Sequence, residues 1–293
     1  MAEDRKDIIL SIRGMSKSFG RNKVLKHINL DVKKGSIMGL MGENGAGKST
    51  MMKCLFGTYQ KDEGTIILDG KEINFAGPKD ALENGVAMVH QELNQCLERN
   101  VIDNLFLGRY PKNSLGVIDE GKMKKEAAEL FRKLGITVDL SQPMKKMSVS
   151  KRQMCEIAKA ISYNSKVIVL DEPTSSLTAP EVEKLFKIMR QLREQGISLI
   201  YISHKMDEVF EICDQISVLR DGSIDENDRY FYKNIVAPWT GGFSFKISYK
   251  NWDLGSNFRA SFGNYLYNGY AESKANTSVL CNPKGYYENC TKE

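Results

Sequence analysis

Short apolar runs alternate with amphipathic stretches along residues 1–224. The apolar runs are four to seven residues long, which suits buried strands. The predicted strands are 8–13, 36–41, 65–68, 86–90, 167–170, 197–203 and 215–219. Apolar positions recur with a helical period in 48–57, 120–134, 151–163, 180–195 and 205–213. Strands that alternate with helices predict an α/β domain in which much of the sheet is parallel.

The pattern changes near residue 225. Residues 225–293 hold 15 aromatic residues, including both tryptophans, whereas residues 1–224 hold 11. Apolar residues occupy every second position from Phe243, and after a turn near Asn251 the same period continues to Phe262. We therefore interpret the chain as two unrelated pieces: a domain of residues 1–224, and a short, aromatic, β-rich tail of residues 225–293 that resembles a hairpin.

The composition is that of a folded protein, because 41% of the 293 residues are hydrophobic and 27% are charged. No apolar run approaches the roughly 20 residues that a membrane helix needs. The charged start MAEDRKD is unlike a signal peptide. A net charge of +5 is too weak to indicate a nucleic-acid partner. The cysteines of the first domain form no CxxC pair, so we expect reduced, buried thiols at Cys54, Cys96, Cys155 and Cys213.

A phosphate-binding loop is predicted after the strand at 36–41. The sequence GENGAGKST fits G-x-x-x-x-G-K-[ST], and it opens a predicted helix, as this motif requires. Glycines let consecutive backbone N–H groups turn toward an anion, and the helix N-terminus adds partial positive charge. Lys48 can reach the β- and γ-phosphates, and Ser49 can ligate Mg²⁺. The alternative is a glycine-rich turn that caps a helix. The candidate nucleotide-binding residues are Gly42, Glu43, Asn44, Gly45, Ala46, Gly47, Lys48, Ser49 and Thr50.

Two carboxylates follow the predicted strand at 167–170. Asp171 and Glu172 would lie at the carboxyl edge of a parallel sheet, beside the phosphate loop and its magnesium. We assign Asp171 to Mg²⁺, through water, and Glu172 to the role of general base or water-orienting group. The alternative is a solvated acidic turn, which often ends an apolar strand.

His204 and Gln91 each follow a predicted strand, so both should emerge at the same edge of the sheet. His204 is a candidate to hydrogen-bond the γ-phosphate and to hold the attacking water together with Glu172. The alternative is a surface histidine that caps the helix beginning at Lys205. Gln91 is a candidate to reach the magnesium or the water through its amide oxygen, although glutamines are common in loops.

Taken together, these motifs resemble the ATP-binding-cassette (ABC) ATPases, which are P-loop NTPases. The phosphate loop, Gln91 in VHQEL, the DEP of 171–173 and His204 in ISHK occur in that family's order and approximate spacing. The resemblance implies ATP and Mg²⁺ as cofactors, a mixed sheet core, and a helical subdomain over about residues 92–163. It also implies that Phe19 stacks on adenine. The alternative for Phe19 is a place in the hydrophobic core.

The family's LSGGQ-like signature is altered here. The matching stretch is MSVSKRQ, residues 147–153, in which Val149 and Ser150 stand at the two glycines. In the family, each signature contacts the γ-phosphate held by a second ATPase unit. Ser148, Ser150 and the N-terminus of the following helix remain candidate phosphate donors. A second departure is Thr178 in SSLT, where the family often has aspartate.

The sequences of longer stretches are similar to those of the ATPases of monosaccharide importers of the galactose/methyl-galactoside type. The resemblance covers about residues 5–224 and includes segments 108–119, 148–178 and 201–222. It implies ATP hydrolysis that drives import from the cytoplasmic face of the bacterial inner membrane. The implied partners are a second ABC ATPase unit, membrane permease subunits that dock near residues 90–110 and, indirectly, a periplasmic sugar-binding protein. Nucleic acid is not an expected partner.

Two alternatives remain open for the function and for the tail. The altered signature, and the absence after residue 224 of the second ATPase unit that this subclass carries, also suit a nucleotide-binding ABC module or fragment that does not power transport. The tail resembles part of a TonB-linked outer-membrane protein. We expect a chimeric coding sequence there, and the alternative is a small hairpin domain that packs its aromatic face on the ATPase.

Overall fold

The computed structural model describes residues 7–91 and 93–224 in full and, beyond them, the backbone of five strands between residues 229 and 281. The chain divides into two compact units, Met1–Tyr230 and Phe231–Glu293. In chain order the strands are β1 (Ile8–Phe19), β2 (Asn22–Lys33), β3 (Ile37–Met41), β4 (Glu63–Leu68), β5 (Lys71–Ile73), β6 (Val86–Val89), β7 (Val167–Asp171), β8 (Ser198–Ile202), β9 (Gln215–Val218), β10 (Arg229–Phe231), β11 (Trp239–Tyr249), β12 (Trp252–Phe262), β13 (Leu266–Tyr267) and β14 (Leu280–Cys281).

The helices lie mainly between strands of the first unit. They are α1 (Lys48–Leu55), α2 (Pro78–Glu83), α3 (Val101–Leu105), α4 (Glu120–Lys133), α5 (Val149–Ile161), α6 (Ala179–Glu194) and α7 (Met206–Ile212), with a 3-10 helix at Met144–Lys146. All five predicted helices are present. The short helices α2 and α3 were not predicted, because one or two turns hold too few residues to establish a helical period. Within the described residues, no helix has both the length and the apolar character needed to cross a membrane.

A six-stranded sheet forms the centre of the first unit, with the order β10-β9-β3-β8-β7-β6. The pairs β3–β8, β3–β9, β6–β7 and β7–β8 are all parallel. The carboxyl ends of these strands therefore meet at one edge. This arrangement confirms the predicted α/β fold class, and it brings the segments after β3, β6, β7 and β8 to the same side.

A second sheet, with the order β2-β1-β4-β5, is antiparallel and gives the fold its mixed character. Strands β2 and β5 were not predicted from the sequence. The β1–β2 register shifts at several points, and His27 in β2 has a positive φ of 52°. Such bulges break the period-two pattern that identifies a strand.

Helix α1 buries its apolar residues in a core that both sheets share. Met51, Met52 and Leu55 are fully buried and belong to the same cluster as Leu10 of β1 and Leu40 of β3. Because α1 begins at the candidate phosphate loop, this burial fixes that loop against the centre of the sheet. The loop is thus attached to the buried core of the unit.

The segment between β6 and β7 holds α3, α4, the 3-10 helix and α5. Arg109 ties its two ends together, since Nη1 donates to the backbone oxygen of Ser162 at 2.8 Å and Nη2 to that of Leu105 at 3.0 Å. The guanidinium also lies 4.0 Å from the ring centre of Tyr163. Burial lowers the pKa of Arg109.

The expectation of buried cysteines is wrong at one position. Cys54, Cys155 and Cys213 are free and buried, and burial raises the pKa of the Cys155 thiol to about 12. Cys96 is free but exposed, because it lies in the polar loop after β6 rather than in a strand or helix. A cysteine's burial depends on the segment that carries it, which residue type alone does not reveal.

In the second unit, β11 and β12 form an antiparallel hairpin, as the alternating pattern predicts. Its backbone register runs from Trp239 opposite Phe262 to Tyr249 opposite Trp252. The predicted turn residue Asn251 lies outside the described residues. A further short pair joins β13 and β14.

Candidate functional site

The loop after β3 has the backbone of an anion cradle. Gly42, Gly45 and Gly47 have φ values of 152°, 87° and 112°, which side chains rarely tolerate. A Cβ on Gly42 would lie 2.3 Å from the backbone oxygen of Leu219. The alternative of a glycine-rich turn that caps a helix is correct in that the loop leads into α1. Capping alone does not require glycine at Gly42, however, whereas the contact with Leu219 does.

Helix α1 presents uncapped N–H groups to this loop. Its N-cap is Gly47, so no side chain accepts from the first turn. The first N–H groups of a helix also lack acceptors within the helix, and they favour an anion there. Ser49 is exposed and Thr50 half-buried at this terminus, while Glu43, Asn44 and Gly45 are exposed on the loop and Ala46 is buried beneath it.

Lys48 folds back over the loop. Its Nζ donates to the backbone oxygens of Gly42 at 2.6 Å and Glu43 at 3.0 Å. These are bonds to neutral acceptors only, so the ammonium charge is available to a phosphate that replaces them. The structure thus holds the lysine above the cradle.

Asp171 is the last residue of β7, and its carboxyl group is partly buried. Burial raises its pKa, and the neighbouring Glu172 raises it further, whereas His90 and Lys48 lower it. The interaction with Lys48 places Asp171 beside the phosphate loop. A partly buried carboxyl group whose pKa is raised by burial and by a second carboxylate, beside a phosphate loop, is typical of a cation site.

Glu172 lies between Gln91 and His204. Gln91 Nε2 donates to Glu172 Oε2 at 3.2 Å, and His204 Nδ1 lies 3.2 Å from Oε1. The Glu172 side chain is only 18% exposed, whereas that of His204 is 62% exposed. The structure therefore brings together three residues that are far apart in the sequence, as their shared position at strand ends predicted.

The backbone of Glu172 is held in an unusual conformation. Its φ is 45°, and its N–H donates to the backbone oxygen of Ile202 at 2.9 Å. The Glu172 side chain is only 18% exposed and has two partners, which does not fit the alternative of a solvated acidic turn.

The capping alternative for His204 is wrong. Helix α7 begins at Met206, its N-cap is Lys205, and no side chain caps it. The His204 ring instead contacts Glu172, because β8 ends at Ile202 and the following residues turn toward β7.

The predicted magnesium ligands supply only oxygen donors. Ser49 offers a hydroxyl group at the start of α1, and Asp171 offers a carboxylate at the end of β7. Gln91 gives its amide nitrogen to Glu172, which leaves the amide oxygen for a cation. Hard oxygen donors together with phosphate oxygens are the set that Mg²⁺ prefers, so the residues present fit this ion. The described residues contain no group of three or more His, Cys, Asp or Glu side chains arranged around a metal site.

Phe19 does not lie in the core. Its side chain is 45% exposed at the end of β1, and its ring meets that of Tyr59 edge-on at 5.2 Å. Lys17 Nζ lies 5.5 Å from the ring centre. The core alternative is therefore wrong, and an exposed aromatic face supports the predicted stacking role. Tyr59 was not singled out from the sequence, where only its position shortly after the phosphate-loop helix marks it.

The altered signature begins helix α5. Ser148 is the N-cap and accepts from the N–H of Lys151, and its Oγ lies 3.1 Å from Ser150 Oγ. Interactions with Ser150 and with Thr178 lower the pKa of the Glu181 carboxyl group. The Glu181 carboxylate in turn accepts from the N–H and hydroxyl of Thr178, each at 2.9 Å. The two departures from the family pattern, at Ser150 and Thr178, are thus joined by one carboxylate.

Sequence reasoning missed a polar network around Glu208. This residue accepts hydrogen bonds from Thr174 and Tyr201 and pairs with Lys205. The one signal in the sequence is that these residues flank the DEP and ISH motifs, and proximity in sequence does not reveal a shared carboxylate.

The sequence profile of the family described as ABC transporter matches residues 25–175. The chain is 66% identical over 218 residues to the galactose/methyl galactoside import ATP-binding protein of Treponema denticola. The aligned region covers 74% of this chain and 44% of that protein. The chain is 54% identical over 216 residues to the protein of the same name from Escherichia coli, covering 74% and 42%. The chain therefore spans less than half the length of these curated relatives.

Solved structures share the fold. An ATP-binding cassette of an ABC transporter in its ADP conformation superposes with a TM-score of 0.67 at 26% identity, over 74% of this chain and 89% of the other. A bacterial ABC transporter cassette with a dimeric structure gives a TM-score of 0.66 at 20% identity, over 77% and 100%. The second likeness shows the fold alone.

Proposed function

This chain belongs to the ABC transporter family, and on that premise we propose that it binds and hydrolyses ATP to drive import of a monosaccharide of the galactose/methyl-galactoside type. The observation that carries the proposal is the position of Glu172, held by Gln91 and His204 beside a phosphate loop. The function is assigned to residues 1–224, and the helices of about residues 92–163 form its helical subdomain.

In the proposal, ATP lies along the start of α1. The N–H groups of the loop and of Lys48, Ser49 and Thr50 bind the phosphates, the Lys48 ammonium turns from its backbone acceptors to the β- and γ-phosphates, and Phe19 stacks on adenine. Ser49, Gln91 and, through water, Asp171 would hold Mg²⁺, which would neutralise charge on the phosphate oxygens.

Glu172 then acts on the attacking water. Its carboxylate accepts a proton from the water as the water oxygen attacks the γ-phosphorus and ADP leaves. His204, whose Nδ1 lies against the same carboxylate, presents Nε2 to the γ-phosphate and so helps Glu172 to hold the water. The positive φ of Glu172 and its backbone bond to Ile202 keep the carboxylate fixed between its two partners.

A second ABC unit completes the site. Ser148, Ser150 and the N-terminus of α5 are exposed or half-exposed, so they are accessible to a nucleotide bound by another unit. Membrane permease subunits are the proposed receivers of the motion, with residues 90–110 as their contact, and a periplasmic binding protein delivers the sugar. This places the chain at the cytoplasmic face of the inner membrane.

The test compares Mg²⁺-dependent ATP hydrolysis and ATP binding of the full chain with three variants. Glu172→Gln keeps the shape of the side chain but removes the base, so we expect turnover to fall by at least about 100-fold with ATP binding retained. Lys48→Ala should weaken ATP binding by at least about tenfold. Lys79→Ala, which removes a highly exposed lysine from α2, is the matched control and should change neither.

Unchanged turnover in Glu172→Gln would eliminate Glu172 as the base. ATP binding without turnover by the unmodified chain, under conditions that permit dimerisation, would favour the alternative of a nucleotide-binding module that does not power transport. That alternative is suggested by the substitutions Val149 and Ser150 in the signature.

A further inference from the structure

The Glu208 carboxylate is the centre of a polar network next to the candidate base. Its Oε2 accepts from Thr174 Oγ1 at 2.6 Å and from the Tyr201 hydroxyl at 2.7 Å. Its Oε1 accepts from Lys205 Nζ at 3.0 Å. Lys205 Nζ also donates to the backbone oxygen of Thr174 at 3.2 Å. Each oxygen of the carboxylate therefore has a partner, and each partner comes from a different segment.

The network is partly shielded from water. Tyr201 is fully buried and Thr174 is 2% exposed, whereas the side chains of Glu208 and Lys205 are 15% and 40% exposed. Burial raises the pKa of Glu208, but the hydrogen bonds from Thr174, Tyr201 and Lys205 outweigh burial and hold the pKa below its ordinary value. Glu208 is thus an ionised acceptor, and charge-assisted hydrogen bonds to a carboxylate that is only 15% exposed are strong and directional.

The partners of Glu208 flank both members of the candidate catalytic pair. Thr174 lies two residues after Glu172, and Lys205 immediately follows His204. Glu172 follows strand β7 and His204 follows strand β8. Oε1 of Glu172 and Nδ1 of His204 lie 3.2 Å apart. One carboxylate on α7 consequently holds the two segments whose separation sets that distance.

We propose that Glu208 is a positioning residue for ATP hydrolysis, which fixes Glu172 relative to His204 through Thr174 and Lys205. The inference rests on the proposed function. Removing the carboxylate leaves the hydroxyl groups of Thr174 and Tyr201 without their acceptor in a buried place, and it removes the ion pair of Lys205, so the segments after β7 and β8 rearrange. The phosphate loop makes none of these bonds, and ATP binding should therefore change little.

The experiment uses the full chain with Glu208→Gln and Glu208→Ala. Glu211→Gln is the matched control, because Glu211 lies on the same helix and pairs with Arg190 at 3.0 Å on the exposed surface. Two readouts are taken: kcat and KM for ATP, and the NMR signals of the His204 ring. The other histidines, His27 and His90, serve as internal references, and His204→Ala assigns the signal.

We expect both Glu208 variants to lower kcat by at least about tenfold while KM changes by less than about threefold. The His204 ring signals should move in both variants and stay in place in Glu211→Gln. A folded Glu208→Ala with the parent's kcat and His204 signals would overturn the proposal, as would equal effects in Glu211→Gln. If the parent does not turn over, the proposed function fails, and the His204 signals alone decide whether Glu208 positions the ring.

If Glu208→Ala does not fold, two variants of Thr174 test the proposal instead. Thr174→Val keeps the shape but removes the hydroxyl group, whereas Thr174→Ser keeps the hydroxyl group. We expect the valine variant to move the His204 signals and the serine variant to restore them. Identical signals in the valine variant and the parent would overturn the proposal.

Discussion

The Glu172 carboxylate lies 3.2 Å from Nδ1 of His204, although 32 positions separate the two residues in the sequence. Gln91 occupies the other oxygen of the same carboxylate at the same distance. The contact follows from the parallel pairing of β7 with β8, which brings both strand ends to one edge. Residues that share one hydrogen-bonded unit should act on the reaction as a unit.

The first prediction follows from this shared contact. His204→Ala should lower ATP turnover by about 10- to 1000-fold while ATP binding is retained, because it removes the partner that orients Glu172. In a double-mutant cycle with Glu172→Gln, the combined loss should be no larger than that of Glu172→Gln alone. Steady-state phosphate release measures the turnover of the single and double variants. If the loss in the double variant equals the product of the two single losses, the two residues act independently.

The exposed ring of Phe19 gives a second prediction. Phe19→Ala should weaken ATP binding by about tenfold, since stacking of a base on an aromatic ring contributes about 1–3 kcal/mol. Binding of inorganic tripolyphosphate should not change, and Phe19→Tyr should retain ATP binding. Calorimetric titration with both ligands separates stacking from a general loss of the site. Equal weakening of both ligands would remove Phe19 from adenine recognition.

Because Phe19 is 45% exposed, its replacement should change the free energy of unfolding by less than about 1 kcal/mol. A larger loss would indicate that the edge-on contact with Tyr59 is structural.

A third prediction concerns the packing of β3 on α7. A Cβ on Gly39 would lie 2.9 Å from Val209 Cγ1 and 3.0 Å from Cys213 Sγ, in the core behind the phosphate loop. Gly39→Ala should therefore lower the free energy of unfolding by about 1–3 kcal/mol through overpacking. Urea denaturation measures the change. Gly77→Ala is the control, since a Cβ there meets open space and its φ of 168° is extended.

The local motifs of the site could be identified from the sequence because each consists of consecutive residues. The phosphate loop, with Lys48, and the strand-end carboxylates Asp171 and Glu172 fall where their spacing predicts them, and the family resemblance is confirmed over the first part of the chain. The roles of these residues stay predictions. Their grouping at one edge required only the rule that parallel strands share an orientation.

The long-range features were not predictable in the same way. The link from Ser150 to Glu181, and the three partners of Glu208, depend on side chains that meet across separate helices and strands. No period or motif encodes such contacts. The exposure of Cys96 and the bulged strand around His27 were likewise missed, because both depend on irregular backbone that interrupts a pattern.

The last prediction sets stability against function at Asp171. Burial raises the pKa of this carboxyl group, and the charge of Glu172 raises it further. As the pH rises past the ordinary value of 3.8, the unfolded chain ionises first while the folded chain keeps its proton until the raised pKa is passed. Stability is therefore lost over that interval, and it stays lower above it.

Asp171→Asn avoids this loss, so without nucleotide and Mg²⁺ it should be more stable than the parent at neutral pH, and the gain should shrink on acidification. Urea denaturation at several pH values between about 4 and 8 tests this. Asp62→Asn is a control of opposite sign, because hydrogen bonds from Lys17 and the N–H of Ser18 lower the pKa of Asp62. Its replacement should destabilise the chain at neutral pH, less so in acid.

The same Asp171→Asn variant should lose Mg²⁺-dependent ATP binding, since the carboxylate that destabilises the fold is the one assigned to the cation. A residue kept for packing would show the reverse: reduced stability with unchanged binding. A gain in stability at neutral pH together with a loss of Mg²⁺ dependence therefore supports a functional role for Asp171. A variant that is less stable at every pH, with ATP binding intact, would contradict that role.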